Sequence, residues 1–174
     1  LQTFFDAVKV GTEYSEFTSK KSTWSEEKYK VRLNRLCEIL ELADADIFIM
    51  QELENEGILY DIINNYRFQG RRDKAYLYGA FIGEKNQAFG CGVISKIPLY
   101  NLKSHQLDIK TENEEQPDMR PFMEFSVDEE NTKRIFVCHW KSKSGGESET
   151  ELWRNYQQKL LSKAINFSSC NFVI

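Results

Sequence analysis

The chain of 174 residues is 41% hydrophobic and 13% aromatic, enough apolar material for one packed domain and too much for a disordered segment. Charged residues make up 29% but nearly cancel to a formal net charge of -4, so there is no global basic field of the kind that drives non-specific binding to nucleic acid. No apolar run approaches the roughly 20 residues of a membrane span, and Cys37, Cys91, Cys138 and Cys170 are scattered without a CxxC pair, reading as small buried thiols rather than a zinc site.

The chain opens on LQTFFD, read as a strand, and a polar stretch without a clear period follows as a surface loop. At Ser25 the pattern turns helical. The serine can accept from first-turn amides, Glu26 and Glu27 suit the positive helix end, and Leu33, Leu36, Cys37 and Leu40 recur at helical spacing. The helix should end near Ala43 to Asp46. Ile47, Phe48, Ile49 and Met50 then read as a central strand buried on both faces, ending at Glu52, and a second helix starts from about Asn55. KAYLYGAFIG, FGCGVISKIPLYNL, MRPFMEFSV and KRIFVCHWK are β-rich, with DEENT as a hairpin connection between the last two. The polar loop KSKSGGESE leads to a helix carrying Leu152, Tyr156, Leu160, Leu161 and Ile165, and CNFVI reads as a final strand. No repeat or linker interrupts the sequence, which predicts one mixed α/β domain over residues 1–174. Both ends read as strands caught midway, so we expect a piece of a longer protein, truncated at both ends. The compartment stays open, a secreted or extracytoplasmic location included.

Glu52 is the first candidate for chemistry. It follows an apolar run at the carboxyl end of a strand, where ligand sites on open α/β sheets collect, and one carboxylate with waters and substrate oxygens suffices to hold Mg²⁺. Glu54, two residues on, would share its face about 6.6 Å away in an extended segment, although capping of the next helix by Glu54 or Asn55 is the simpler reading. His139 lies where a strand leaves the core, followed by Lys141, Lys143 and two glycines, a group suited to an anionic oxygen; its parity with Ile135 and Val137 equally allows a core imidazole. Arg120 stands at a strand entrance beside Pro121, as a phosphate grip or a surface cation with equal weight. Arg154 and Gln157 read as orienting neighbouring loops. His105 offers no comparable reason for a role. No P-loop, dinucleotide fingerprint, nucleophile elbow or HExxH helix is present, which leaves direct attack by water as the simplest chemistry.

Taken in order, LQTFFD, KY followed by RLNRLCEIL, DIFIMQELEN, FGCGVISKIPL, RPFMEF and VCHWKSKSGG with Arg154 and Gln157 beyond it resemble the endonuclease/exonuclease/phosphatase superfamily of metal-dependent phosphoesterases, and among them bacterial nuclease-like members with a QExEN signature. The resemblance implies a four-layer α/β/β/α sandwich of two mixed sheets with outer helices. It implies Glu52 as the metal ligand, for Mg²⁺ with Mn²⁺ or Ca²⁺ as substitutes, and His139 as the catalytic histidine. It places Arg120, Lys141 and Lys143 beside the substrate phosphate. Cys138 stands where the family commonly has asparagine before the histidine. The family's first asparagine would fall just before Leu1, and its GDFN and terminal Asp-His motifs beyond Ile174, so the 174 residues alone are expected to be unable to complete the reaction.

The expected function of the intact protein is hydrolysis of phosphodiester bonds, foremost as a DNA or RNA nuclease, by a monomer without a membrane span in this chain. Three alternatives stand beside it: a phosphatase or phospholipid phosphodiesterase of the same fold, a non-catalytic binding domain, and a glycosidase using Glu52 and Glu54 as acid and base. Lys20, Lys21, Arg71 and Arg72 are available for local contacts to a phosphate polymer.

Overall fold

The computed structural model describes residues 1–109 and 115–165, and the backbone of 171–173. Two compact units make up the chain, Leu1–Pro98 and Leu99–Ile174.

In the first unit the polar loop expected after the opening segment contains one short helical turn, α1 (Ser15–Thr18), followed by α2 (Glu26–Ala43). Ser25 starts α2 from an extended conformation, and its hydroxyl accepts the Lys28 amide at 3.3 Å, satisfying one of the donors that a helix start leaves open. Asp44 ends it in the left-handed region at φ 50°. The Asp44 carboxylate pairs with Lys74 and Lys96, which holds it down to about 2 and ties the helix end to two later segments. Tyr29, Leu33, Leu36, Cys37 and Leu40 form the buried stripe of α2. They join Phe4, Met50, Leu53, Ile58, Leu59, Ile62, Phe68, Tyr76 and Ile94 in one apolar cluster, each large aliphatic member contributing about 1.5–3 kcal/mol by burial.

The sheet of this unit holds β1 (Ile47–Leu53), β2 (Tyr78–Ile82) and β3 (Gly90–Ser95), with α3 (Gly57–Ile63) after β1. Its order is β1-β3-β2, all antiparallel. The central position among the described strands therefore belongs to β3, buried at all six positions, and not to β1 as the apolar run suggested. Ile47, Phe48 and Ile49 are only half-buried, and among the described residues the other edge of β1 is met by a parallel bridge between Phe4 and Leu53. That bridge is all that forms of the expected opening strand. Gly90 lies so close to β2 that a Cβ there would stand 2.1 Å from the Ile82 carbonyl oxygen.

The second unit holds β4 (Tyr100–His105), β5 (Phe122–Ser126), β6 (Arg134–Val137), α4 (Glu147–Ile165) and β7 (Asn171–Val173), in sheet order β4-β5-β6-β7. The stretch FGCGVISKIPLYNL thus forms two strands of different sheets, β3 and β4, parted near Pro98. β5 and β6 make the expected hairpin, its turn fixed by Asp128, whose carboxylate accepts the amides of Thr132 at 2.7 Å and Lys133 at 2.8 Å. β6 and β7 are parallel with α4 as the crossover, as parallel pairing requires. Of the expected closing strand, Cys170 and Ile174 lie outside the described residues. Thr150, Trp153, Gln157 and Leu161, spaced by three and four residues, are the buried side of α4.

Candidate functional site

β1 carries Glu52 at its end, and the pairing with β3 shows how. Gln51 pairs with Cys91 and Leu53 with Gly90, so Glu52 is the extra residue of a β-bulge. Its φ is 62°, a left-handed conformation uncommon for a residue with a side chain and one that is held only where the surroundings over-determine it. The surroundings do so through residues 2–6. The Phe4 amide donates to the Glu52 carbonyl at 2.9 Å, the Glu54 amide to the Phe4 carbonyl at 3.1 Å, and the Thr3 amide to Glu52 Oε2 at 2.7 Å. Glu52 is half-buried, and its carboxylate accepts from a backbone amide.

The bulge also separates Glu52 from Glu54. Alternation would have put both on one face, but Glu54 is 7% exposed and its Oε2 accepts the Asp6 amide at 2.7 Å. Burial and the nearby Asp6 charge outweigh that hydrogen bond and push the carboxyl up to about 7. Its Oε1 is buried with no hydrogen-bond partner among the described residues. Asn55 donates to Asp6 Oδ2 at 2.9 Å, and the Trp24 indole donates to the Asp6 carbonyl at 2.6 Å. Neither Glu54 nor Asn55 caps α3: the cap position is Glu56, whose side chain makes no capping hydrogen bond. Glu54 anchors the opening segment instead, through the Asp6 amide.

The other candidates lie in the second unit. Antiparallel pairing of Met123 with Val137 puts the entrance of β5 and the exit of β6 at one end of the hairpin, which brings the backbones of Arg120 and His139 to the same edge. Both residues are half-buried, and Arg120 Nε is shielded from solvent with no hydrogen-bond partner among the described residues. Phe136 and Cys138 pack with Phe122 and Leu161. By alternation His139 lies on the opposite side, away from that cluster. Cys138, at the place of the family's asparagine, is buried in this apolar cluster. The loop after His139 is pinned from α4, where Gln157, 4% exposed, accepts the Lys141 amide at 2.9 Å. Lys143 is exposed and pairs with Glu147, the first residue of α4. Arg154 donates to Thr150 Oγ1 at 2.5 Å and to the Glu147 carbonyl at 2.9 Å, bracing the start of its own helix. Of the cations considered for a phosphate polymer, Arg71 is engaged by Glu41.

No sequence pattern singles out Thr3, Asp6, Arg32 or Trp24, which surround the Glu52 segment, nor His105, whose Nε2 lies 2.6 Å from Glu124 Oε2. Only the helical phase of Arg32, three residues after buried Tyr29 and beside Leu33, hinted at an inward-leaning guanidinium.

Residues 1–168 match the model of the Endonuclease/Exonuclease/phosphatase family. The chain belongs to this family. Its fold is similar to that of an endonuclease/exonuclease/phosphatase family protein from Leptotrichia buccalis C-1013-b, with a TM-score of 0.56 and 16% identity over 83% of this chain. The match spans 59% of that protein's length. No curated protein matches the sequence. The likeness shows an α/β fold of two sheets with helices; against the expectation of two mixed sheets, β1-β3-β2 is antiparallel throughout, and only the second sheet is mixed, through the parallel β6–β7 pair.

Members of the family commonly use divalent metals, and the residues present fit one kind. Among the described residues no group of three or more His, Cys, Asp or Glu side chains could enclose a metal ion. Glu52 offers one oriented carboxylate, which suits a hard cation that keeps most of its waters, such as Mg²⁺, better than one that demands a closed nitrogen or sulfur set. No helix among the described residues is long and apolar enough to cross a membrane.

Proposed function

We propose that the intact protein hydrolyses phosphodiester bonds with a divalent cation, Mg²⁺ first, held by Glu52, and that its substrate is nucleic acid. The observation that carries this reading is the Glu52 carboxylate itself, placed at a bulge in a left-handed conformation and aimed by the Thr3 amide. A strained, oriented carboxylate at a strand end is an arrangement that packing does not require. Family membership supports the reaction class.

A cation bound at Glu52 supplies charge neutralisation to the phosphate and to the negative charge that develops as the bond breaks. In this proposal His139 donates a hydrogen bond to the scissile phosphate or the leaving oxygen, and Gln157 keeps it in place through the Lys141 amide. Arg120 and Lys141 contribute positive charge to the substrate's non-bridging oxygens, a role that requires a fixed position more than basicity. Lys143, exposed and paired with Glu147, would have to exchange that partner for substrate.

The test uses the full-length protein against plasmid DNA, RNA and phospholipid in parallel, with and without EDTA. Glu52→Gln keeps an acceptor for the Thr3 amide and removes the charge. It is expected to leave the fold intact and abolish most metal-dependent turnover. Activity at the wild-type level in that variant, or activity that survives EDTA, would overturn the proposal. Cleavage of phospholipid alone would move the substrate to the lipid phosphodiesters.

A further inference from the structure

Arg32 lies on α2, twenty residues before Glu52, and opens the RLNRLCEIL stretch. Its Nη1 donates to the Thr3 carbonyl at 2.7 Å and its Nη2 to the Gln2 carbonyl. The guanidinium also lies over the Phe4 ring, 4.7 Å from the centroid, and 6.0 Å from that of Trp24. The Gln2 carbonyl and the Thr3 N–H belong to one planar peptide and point in opposite directions. Arg32 therefore holds the oxygen end of the same peptide whose hydrogen end meets Glu52 Oε2.

Thr3 has a reason to need holding. Its φ is 45°, left-handed and unfavourable for a β-branched residue. Without a grip on its flanking carbonyls the peptide would relax toward an extended conformation and swing the N–H away from Glu52. A cation on the carbonyl also polarises the peptide and strengthens the N–H as a donor, since hydrogen bonds in a chain reinforce one another. We propose that Arg32 is a positioning residue for metal binding: it acts through the Gln2–Thr3 peptide to fix the direction of the Glu52 carboxylate. The inference rests on the proposed metal role of Glu52.

The experiment measures Mn²⁺ binding to the full-length protein by the electron paramagnetic resonance signal of the free ion, without substrate. Wild type is compared with Arg32→Ala, Arg32→Lys, Glu52→Gln and Arg35→Ala, the last an exposed arginine on the same helix. Arg32→Ala is expected to weaken Mn²⁺ binding by about tenfold or more, the range for removing a group that orients a ligand. Arg32→Lys keeps the charge but cannot bridge two carbonyls with a rigid fork, and falls in between. Arg35→Ala should bind as wild type does. Should Arg32→Ala not fold, Arg32→Lys decides, because a folded lysine variant with wild-type affinity overturns the inference. A folded Arg32→Ala variant within twofold of wild type, while Glu52→Gln loses binding, overturns it and leaves the metal role standing. Unchanged binding in Glu52→Gln removes both.

Discussion

The Thr3 amide donates to Glu52 Oε2 across 2.7 Å, and both residues have left-handed backbones, at φ 45° and φ 62°. Two strained residues that secure each other are more informative than either alone. The strain of one is a condition for the hydrogen bond of the other.

Relief of that strain at Thr3 should be visible in stability. Asparagine adopts the left-handed region far more readily than a β-branched residue, so Thr3→Asn keeps the N–H and lowers the backbone penalty. A gain of about 1 kcal/mol is expected in urea denaturation, with metal affinity preserved. A loss of stability would show that the threonine side chain makes contacts that matter more than its φ.

Gly90→Ala probes the opposite side of the bulge. The added carbon would lie 2.1 Å from the Ile82 carbonyl oxygen, a backbone atom that cannot step aside alone. The expected loss is about 3 kcal/mol, read as a drop in the urea midpoint. A variant as stable as wild type would mean that β2 can shift away from β3.

Glu124 gives the acid limb of the stability curve. It is 1% exposed within β5 and is met by Arg134 Nη2 at 2.6 Å, His105 Nε2 at 2.6 Å and Lys103 Nζ at 3.2 Å. Burial alone would raise its carboxyl, but these hydrogen bonds outweigh burial and hold it below the ordinary value of 4.5. The native state then binds fewer protons than the unfolded chain just below that value. The contribution to stability is complete above it and is lost as pH falls through the native value. Glu124→Gln leaves Arg134 buried without its counter-charge and should destabilise by about 3 kcal/mol near neutrality. Urea melts from about pH 6 to about pH 3 should show a flatter acid decline in the variant than in wild type. Parallel curves would refute the assignment.

Gln157→Leu separates loop position from fold. Leucine fills the same buried place on α4 but cannot accept the Lys141 amide. A stability loss of about 1 kcal/mol is expected, together with a fall in kcat of the full-length protein of roughly tenfold, as for a displaced catalytic group. An unchanged kcat would detach this loop from the chemistry.

What could be read in advance follows the range of the interactions. Ser25 and the stripe on α2 are local patterns, set by the helix itself, and their signals are strong. Glu52 stood out because an apolar run ended in acid. Its bulge did not, because the extra residue exists only relative to β3, forty residues further on. The same is true of the central strand, since β3 lies between β1 and β2 by pairing rather than by any excess of apolar residues. His105 looked unremarkable because its partner faces it across the β4–β5 register. Helical phase turned Arg32 inward but could not name the carbonyls it would meet.

The contact between Thr3 and Glu52 spans 49 positions of the chain. No peptide from either side contains both partners, and closing a loop of that length is an entropic step that local structure cannot take alone. The aim of the carboxylate is therefore a late product of folding. A nascent or partly unfolded chain carries the acid but not its direction, so strong metal binding would report that the first unit had closed.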